Sequence, residues 1–320
     1  MRIAAGLVAA LALGAGGAAA RQSPPSYALP SWSPDGHRLA FASASGSAGA
    51  AVVTAGASGG PLRRVVRTDA LSQVAWSPRG GRIAYGSHGR VFVIRSDGKQ
   101  RHAVGSGVEA AWSPDGSRLA FARSALGGPI DSVSVDGGAR TRVTGGRFDH
   151  APAWSPDGTR LAFSRATTVG GPERLYVVDS DGTGLQALGA QGASPAWSPD
   201  GRSLAYWQRT PEGVALAVFR FAGEQVVPLT RTFAAFSRPP RWSPDGTRLL
   251  VTVCGAFGNC RLDVAAADGS GVIRLGPGSD PAWSPDGSRI AFVQRRSCAG
   301  WSVFVAKADG TGLRRVTPCR

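Results

Sequence analysis

The string Trp-Ser-Pro occurs seven times, at Trp32, Trp76, Trp112, Trp154, Trp197, Trp242 and Trp283, at intervals of 36 to 45 residues. Self-similarity with such a period marks a repeat architecture and constrains the fold more than any other feature here. Each copy has the same parts. A short extended run leads into the Trp, Ser-Pro-Asp-Gly follows in most copies, and then come three apolar runs such as 160–163, 175–178 and 185–188. Pro is pre-set for the second position of a type I turn, and Gly follows where φ must be positive. Each unit therefore reads as four short antiparallel strands, here A, B, C and D, with turn signals every 8–12 residues.

A four-stranded unit of this length cannot cover both its faces, but a ring of 4–8 such units can. The expectation is an all-β, seven-bladed β-propeller of four-stranded antiparallel blades. The repeated Trp and the strand-B aromatics Phe41, Tyr85, Phe121, Phe163, Tyr206 and Phe292 fill the spaces between blades, with Val251 in the sixth copy. Composition agrees. There are 45 glycines in 320 residues, roughly twice the usual share. There is no Gly-X-Y period, which excludes collagen. A solenoid would carry polar capping repeats, and the terminal copies are ordinary ones.

The segments PAWSPDGTRLAF at 152–163 and PAWSPDGSRIAF at 281–292 resemble the WD-like propeller repeat of the TolB family. The resemblance runs over about 27–320 and implies the fold and an exported scaffold. TolB-type proteins carry an N-terminal α/β domain before a six-bladed propeller. Here the first copy begins soon after the N-terminus and there are seven, so the family's partners do not carry over.

Arg2, the apolar run 3–14 and the small residues ending Ala18-Ala19-Ala20 have the pattern of a secretory signal peptide. The run is shorter than the roughly 20 residues of a membrane-spanning helix. The expected division is a signal peptide at 1–20, a short lead at 21–26 and the propeller at 27–320. The mature chain is then exported to the periplasm, cell wall or medium, as a monomer. Four cysteines in an exported chain suggest disulfides. Cys254 and Cys260 flank one B–C hairpin, and strand register brings Cys298 toward Cys319. The expected pairs are Cys254–Cys260 and Cys298–Cys319, the second tying down the last strand.

In a propeller the A–B and C–D turns share one face, and the B–C and D–A loops share the other. The first set is uniform here and the second varies. Binding residues concentrate on loops held by a rigid scaffold, so the variable face and its central mouth form the expected site. Glu109, Phe148, Asp149, His150, Arg231, Phe233, Phe236, Arg238 and Asp280 are the candidate ligand-binding residues. Aromatics and Arg favour interface hot spots. On the uniform face, Asp follows Trp by three residues in six copies and Arg follows by six in six copies. Each Asp is read as serving its own turn, with the Arg beside it on the surface.

Catalytic signatures fail. Gly56-Ala57-Ser58-Gly59-Gly60 matches G-x-S-x-G but lies in a hairpin turn, where a nucleophile elbow needs a following helix. His37, His88, His102 and His150 show no metal-ligand spacing. No catalytic residue, metal or cofactor is expected. The formal net charge of +15 raises nucleic acid as a partner. The arginines instead recur in outer strands, where they discourage edge-to-edge pairing, so nucleic acid is not expected. An anionic envelope polymer or membrane surface suits the charge better. The expected function is a non-catalytic binding scaffold for a protein or cell-envelope ligand. The alternative is a polysaccharide-acting lyase or hydrolase with its site at the central mouth.

Overall fold

The architecture follows from burying both faces of every repeat. In a computed structural model, which describes residues 26–45, 49–230, 235–236, 238–255, 259–295 and 300–318, each unit forms an antiparallel sheet in the order A-B-C-D. The segment 1–20 read as a signal peptide, and both Cys298 and Cys319, lie outside the described residues. Unit 1 comprises Ser26–Trp32, Arg38–Ala44, Ala50–Gly56 and Arg63–Thr68. Units 2, 3 and 7 repeat this four-stranded pattern.

Two departures from separate sheets occur. The D strand of unit 4 and the A strand of unit 5 are one 12-residue strand, Gln186–Trp197, so the two units share a seven-stranded sheet. In unit 6 the A strand is broken. Ala235–Phe236 and Arg241–Trp242 each pair with Arg248–Cys254. Pro239 and Pro240 lie between the two pieces and offer no N–H to the ladder.

Seven apolar clusters form the core, each between neighbouring units. The cluster around Trp154, Phe163 and Leu161 takes Ala120 and Ile130 from unit 3. The cluster around Trp32 and Phe41 takes Ala291, Val303 and Val305 from unit 7. The last unit thus packs on the first as every other pair does, and the Tyr27 N–H donates to the Trp301 carbonyl at 2.9 Å across this junction. The strand-B aromatics are buried as expected, and Val251 is buried in the sixth copy. The B runs are continuous rather than alternating: Leu161, Ala162, Phe163 and Ser164 are all fully buried. Both faces of these sheets are covered, so both sets of side chains face protein, as in buried parallel sheets.

The Trp residues are linked around the ring. The indole Nε1 of Trp112 donates to the carbonyl of Ala75, the residue just before Trp76, at 3.1 Å. The same bond joins Trp154 to Ala111, Trp197 to Ala153, Trp242 to Ala196, Trp283 to Arg241 and Trp32 to Ala282. Trp76 breaks the series: its Nε1 is buried without a partner among the described residues. Its backbone N–H instead donates to Ser31 Oγ at 2.9 Å. Because these bonds run from one A strand to the next, the A strands surround the axis of the ring.

The disulfide Cys254–Cys260 is present, closing the hairpin at a register where the two residues are direct cross-strand partners.

Candidate functional site: the variable face and the channel mouth

The uniform face satisfies its own polar groups. In unit 4, Ser155 Oγ donates to Asp157 Oδ1 at 2.5 Å and accepts the Arg160 N–H at 2.9 Å. Asp157 also accepts the Thr159 N–H at 3.0 Å. Units 1, 3, 5, 6 and 7 repeat the Ser–Asp bond. Gly158 at the turn has φ +72°, and a Cβ there would sit 3.7 Å from Pro114 of the preceding unit. The turns therefore abut one another around the ring.

Hydrogen bonds from the Ser hydroxyls, with those from the Ser or Thr two residues on, hold the carboxyls of Asp115, Asp157, Asp245 and Asp286 down to about 2. Asp35 and Asp200 are lowered from 3.8 by the same Ser bond, aided by a backbone N–H. A folded-state value below the unfolded one stabilises the fold above the unfolded pKa, and this is lost as pH falls through the folded value. Stability is therefore expected to fall between about pH 4 and pH 2. Thermal melts over that range check this, and Asp→Asn at 115, 157, 245 and 286 should flatten the dependence.

The Arg residues of these turns behave differently from the sequence expectation. Arg248 comes within 4.0 Å of Asp245, but the dominant contact is with the next unit. Arg38, Arg160, Arg248 and Arg289 lie over the rings of Trp76, Trp197, Trp283 and Trp32 at 6.0, 5.0, 4.9 and 4.8 Å. Guanidinium stacking on an indole is favourable at this range, so these side chains join units together.

The variable face is built on a recurring bulge. Three residues before the Trp, Leu29, Glu109, Ala151, Ser194 and Asp280 adopt positive φ between 49° and 59°. The A–B register shifts at the same place in these five units. Bulges re-aim side chains. Here two of the re-aimed residues, Glu109 and Asp280, are candidates from the sequence.

Glu109 is exposed and reaches the next unit, where its carboxylate accepts the Ala151 N–H at 2.7 Å. Gln73, which sequence reasoning passed over, does the same one unit earlier: its Oε1 accepts the Ala110 N–H at 2.8 Å. Asp149 is fully buried. Arg165 donates to it at 2.6 and 3.0 Å, the Gly146 N–H at 3.1 Å, and Thr144 Oγ1 also donates. Phe148 and His150 flank it, both half-buried. Gly127 has φ +87°, and a Cβ there would lie 2.5 Å from His150 Nε2, so the loop passes close because the residue is Gly. Arg231 and Phe233, and the side chain of Phe236, lie outside the described residues.

Arg238 and Asp280 come together. Arg238 Nε donates to Asp280 Oδ1 at 2.8 Å. Arg241, absent from the sequence candidates, lies beside them. It is exposed. Desolvation by the surrounding protein nevertheless lowers its pKa from the ordinary arginine value, the Arg238 charge adds to this, and Asp280 opposes it. Arg241–Trp242 belongs to an A strand, and its backbone carbonyl accepts the Trp283 indole of the next unit.

A second feature of this face was not legible in the sequence. A cleft of about 510 Å³ lies between units 1 and 2, lined by Arg67, Thr68, Asp69, His88, Arg90 and Arg101 among others. Arg101 stacks on Phe92 at 4.4 Å, while Arg67 and Arg90 have no ion pair among the described residues. Among the described residues no three His, Cys, Asp or Glu side chains form a metal-holding group.

A ring of antiparallel repeat sheets with an apolar core between each pair of neighbouring units defines a propeller-like protein. The model of the TolB beta propeller domain matches residues 18–193, 74–269 and 174–319, and the chain belongs to that family. No curated protein sequence matches it. Solved structures share its fold. TolB from Acinetobacter baumannii is 18% identical, with a TM-score of 0.57 over 83% of this chain and 75% of that one. An oligogalacturonate lyase in complex with manganese is 15% identical, with a TM-score of 0.71 over 88% and 90%. A Mycobacterium tuberculosis puromycin-hydrolyzing peptidase is 17% identical, with a TM-score of 0.70 over 93% of this chain and 53% of that one.

Proposed function

We propose that the protein is an exported, non-catalytic seven-bladed propeller that binds a protein or an anionic cell-envelope component on its variable face. The blade count rests on seven Trp-Ser-Pro units and seven inter-unit cores; the shared strand Gln186–Trp197 joins two blades without merging them. Export rests on the residues of 1–20 and on membership of the TolB propeller family.

The observation that carries the binding reading is the charged cleft between units 1 and 2. On the uniform face each Asp is bonded within its own turn. On the variable face Arg67 and Arg90 line that cleft and present positive charge without an ion pair among the described residues. Surplus positive charge on one face attracts anionic surfaces and speeds encounter with them. Arg67→Glu with Arg90→Glu is expected to weaken binding to anionic envelope polymer without changing the melting temperature, since both side chains are exposed. Metal analysis of the purified protein separates this reading from a metal-dependent lyase. A transition metal bound at one equivalent would replace it.

A further inference from the structure

One residue breaks the repeat at the axis. The position just before each Trp is Ala in five units and Ser31 in another; in unit 6 it is Arg241. This position carries the carbonyl that receives the next unit's indole, so it lies on the inner strand against the following Trp. A small side chain fits there, and Ala111 and Ala153 pack into the inter-unit cores. Arg cannot be packed that way, and the Arg241 side chain is exposed. From this strand its outlet is the channel.

The channel gives that guanidinium no partner. No hydrogen bond or ion pair of the Arg241 side chain is made among the described residues, although Asp280 is close by. Asp280 is taken by Arg238 at 2.8 Å and is the more enclosed of that pair, with 19% of its side chain exposed against 40% for Arg238. Its positive φ of 49° comes from the bulge and sets the carboxylate toward Arg238. Two guanidinium groups and one carboxylate leave positive charge in excess. A planar guanidinium fork matches a carboxylate or phosphate with two parallel hydrogen bonds.

We propose that the central channel is an oxyanion site, in which Arg241, with Arg238 beside it, receives the carboxylate or phosphate group of a small ligand. Asp280 orients Arg238 and keeps its fork from folding onto Arg241. The site is independent of what docks on the rim: it needs no macromolecular partner and does not use Arg67 or Arg90.

Calorimetry with inorganic phosphate and with succinate, in low-chloride buffer, tests this and distinguishes the two anion types. Arg241→Ala restores the residue that five other units carry, so the variant is expected to fold with an unchanged or higher melting temperature. Wild-type protein is expected to bind at least one probe saturably. Arg241→Ala should weaken that binding about 10- to 100-fold, the range for a charged hydrogen-bonding partner. The Arg67→Glu, Arg90→Glu variant should bind as wild type does, even if it has lost the envelope polymer. Absence of saturable binding by wild type, equal binding by Arg241→Ala, or a lower melting temperature of that variant without anion would overturn the proposal.

Discussion

Trp154→Ala is expected to destabilise the protein by about 3–5 kcal/mol, the range for removing a large buried aromatic side chain. Trp154 is 9% exposed and sits in the core between units 3 and 4 with Phe163 and Ile130. Its indole also donates to the Ala111 carbonyl at 3.2 Å, so the alanine leaves both a cavity and an unfilled acceptor. Substitution by Phe separates the two effects. Trp154→Phe removes the bond, whereas Trp76→Phe removes none, because the Trp76 Nε1 has no partner among the described residues. Trp154→Phe should therefore cost about 1 kcal/mol more than Trp76→Phe, the usual net worth of one hydrogen bond. Denaturant melts of the two variants measure the difference. Equal costs would remove the indole ring of bonds from the account.

Asp149→Ala carries the second large effect. In the sequence, Asp149 is a polar residue in a variable loop and looks available to a ligand. In the structure it is fully buried beneath Arg165, which in turn stacks on Phe163 at 5.2 Å and on Tyr176 at 4.9 Å. Removing one partner of a buried pair strands the other charge, at about 3–5 kcal/mol. Asp149→Ala is therefore expected to lower stability by that amount, measured by denaturant titration. Lost ligand binding with unchanged stability would mean that the carboxylate faces a ligand instead.

Much of the fold was legible because it is written seven times. The Trp positions, the strand-B aromatics and the Ser-Pro-Asp-Gly turns each follow from local chemistry that repetition averages over. Cys254–Cys260 was legible for the same reason, since the repeat map puts both ends of one hairpin in register. What escaped depends on contacts between units. Arg160 lies three residues after Asp157, so the two look like neighbours, yet its guanidinium rests on Trp197 of the next unit. The positive φ at Glu109 and Asp280 has no marker of its own, because the same bulge accepts Leu29, Ala151 and Ser194. The continuous strand Gln186–Trp197 has no sequence marker that sets it apart from the one-residue D–A links at Gly107 and Gly278. Arg241 did leave a trace, as the one large residue in a column of Ala and Ser. It is found by aligning the units on their Trp and asking which position breaks its own pattern.

Cross-linking mass spectrometry of the protein with envelope extract tests the division of the two faces most directly. Cross-links are expected at the variable face, on the B–C and D–A loops around Asp69, His88 and Asp280, with the Ser-Pro-Asp-Gly turns left free. Partner cross-links concentrated on those turns, at Asp115, Asp157 or Asp286, would contradict it.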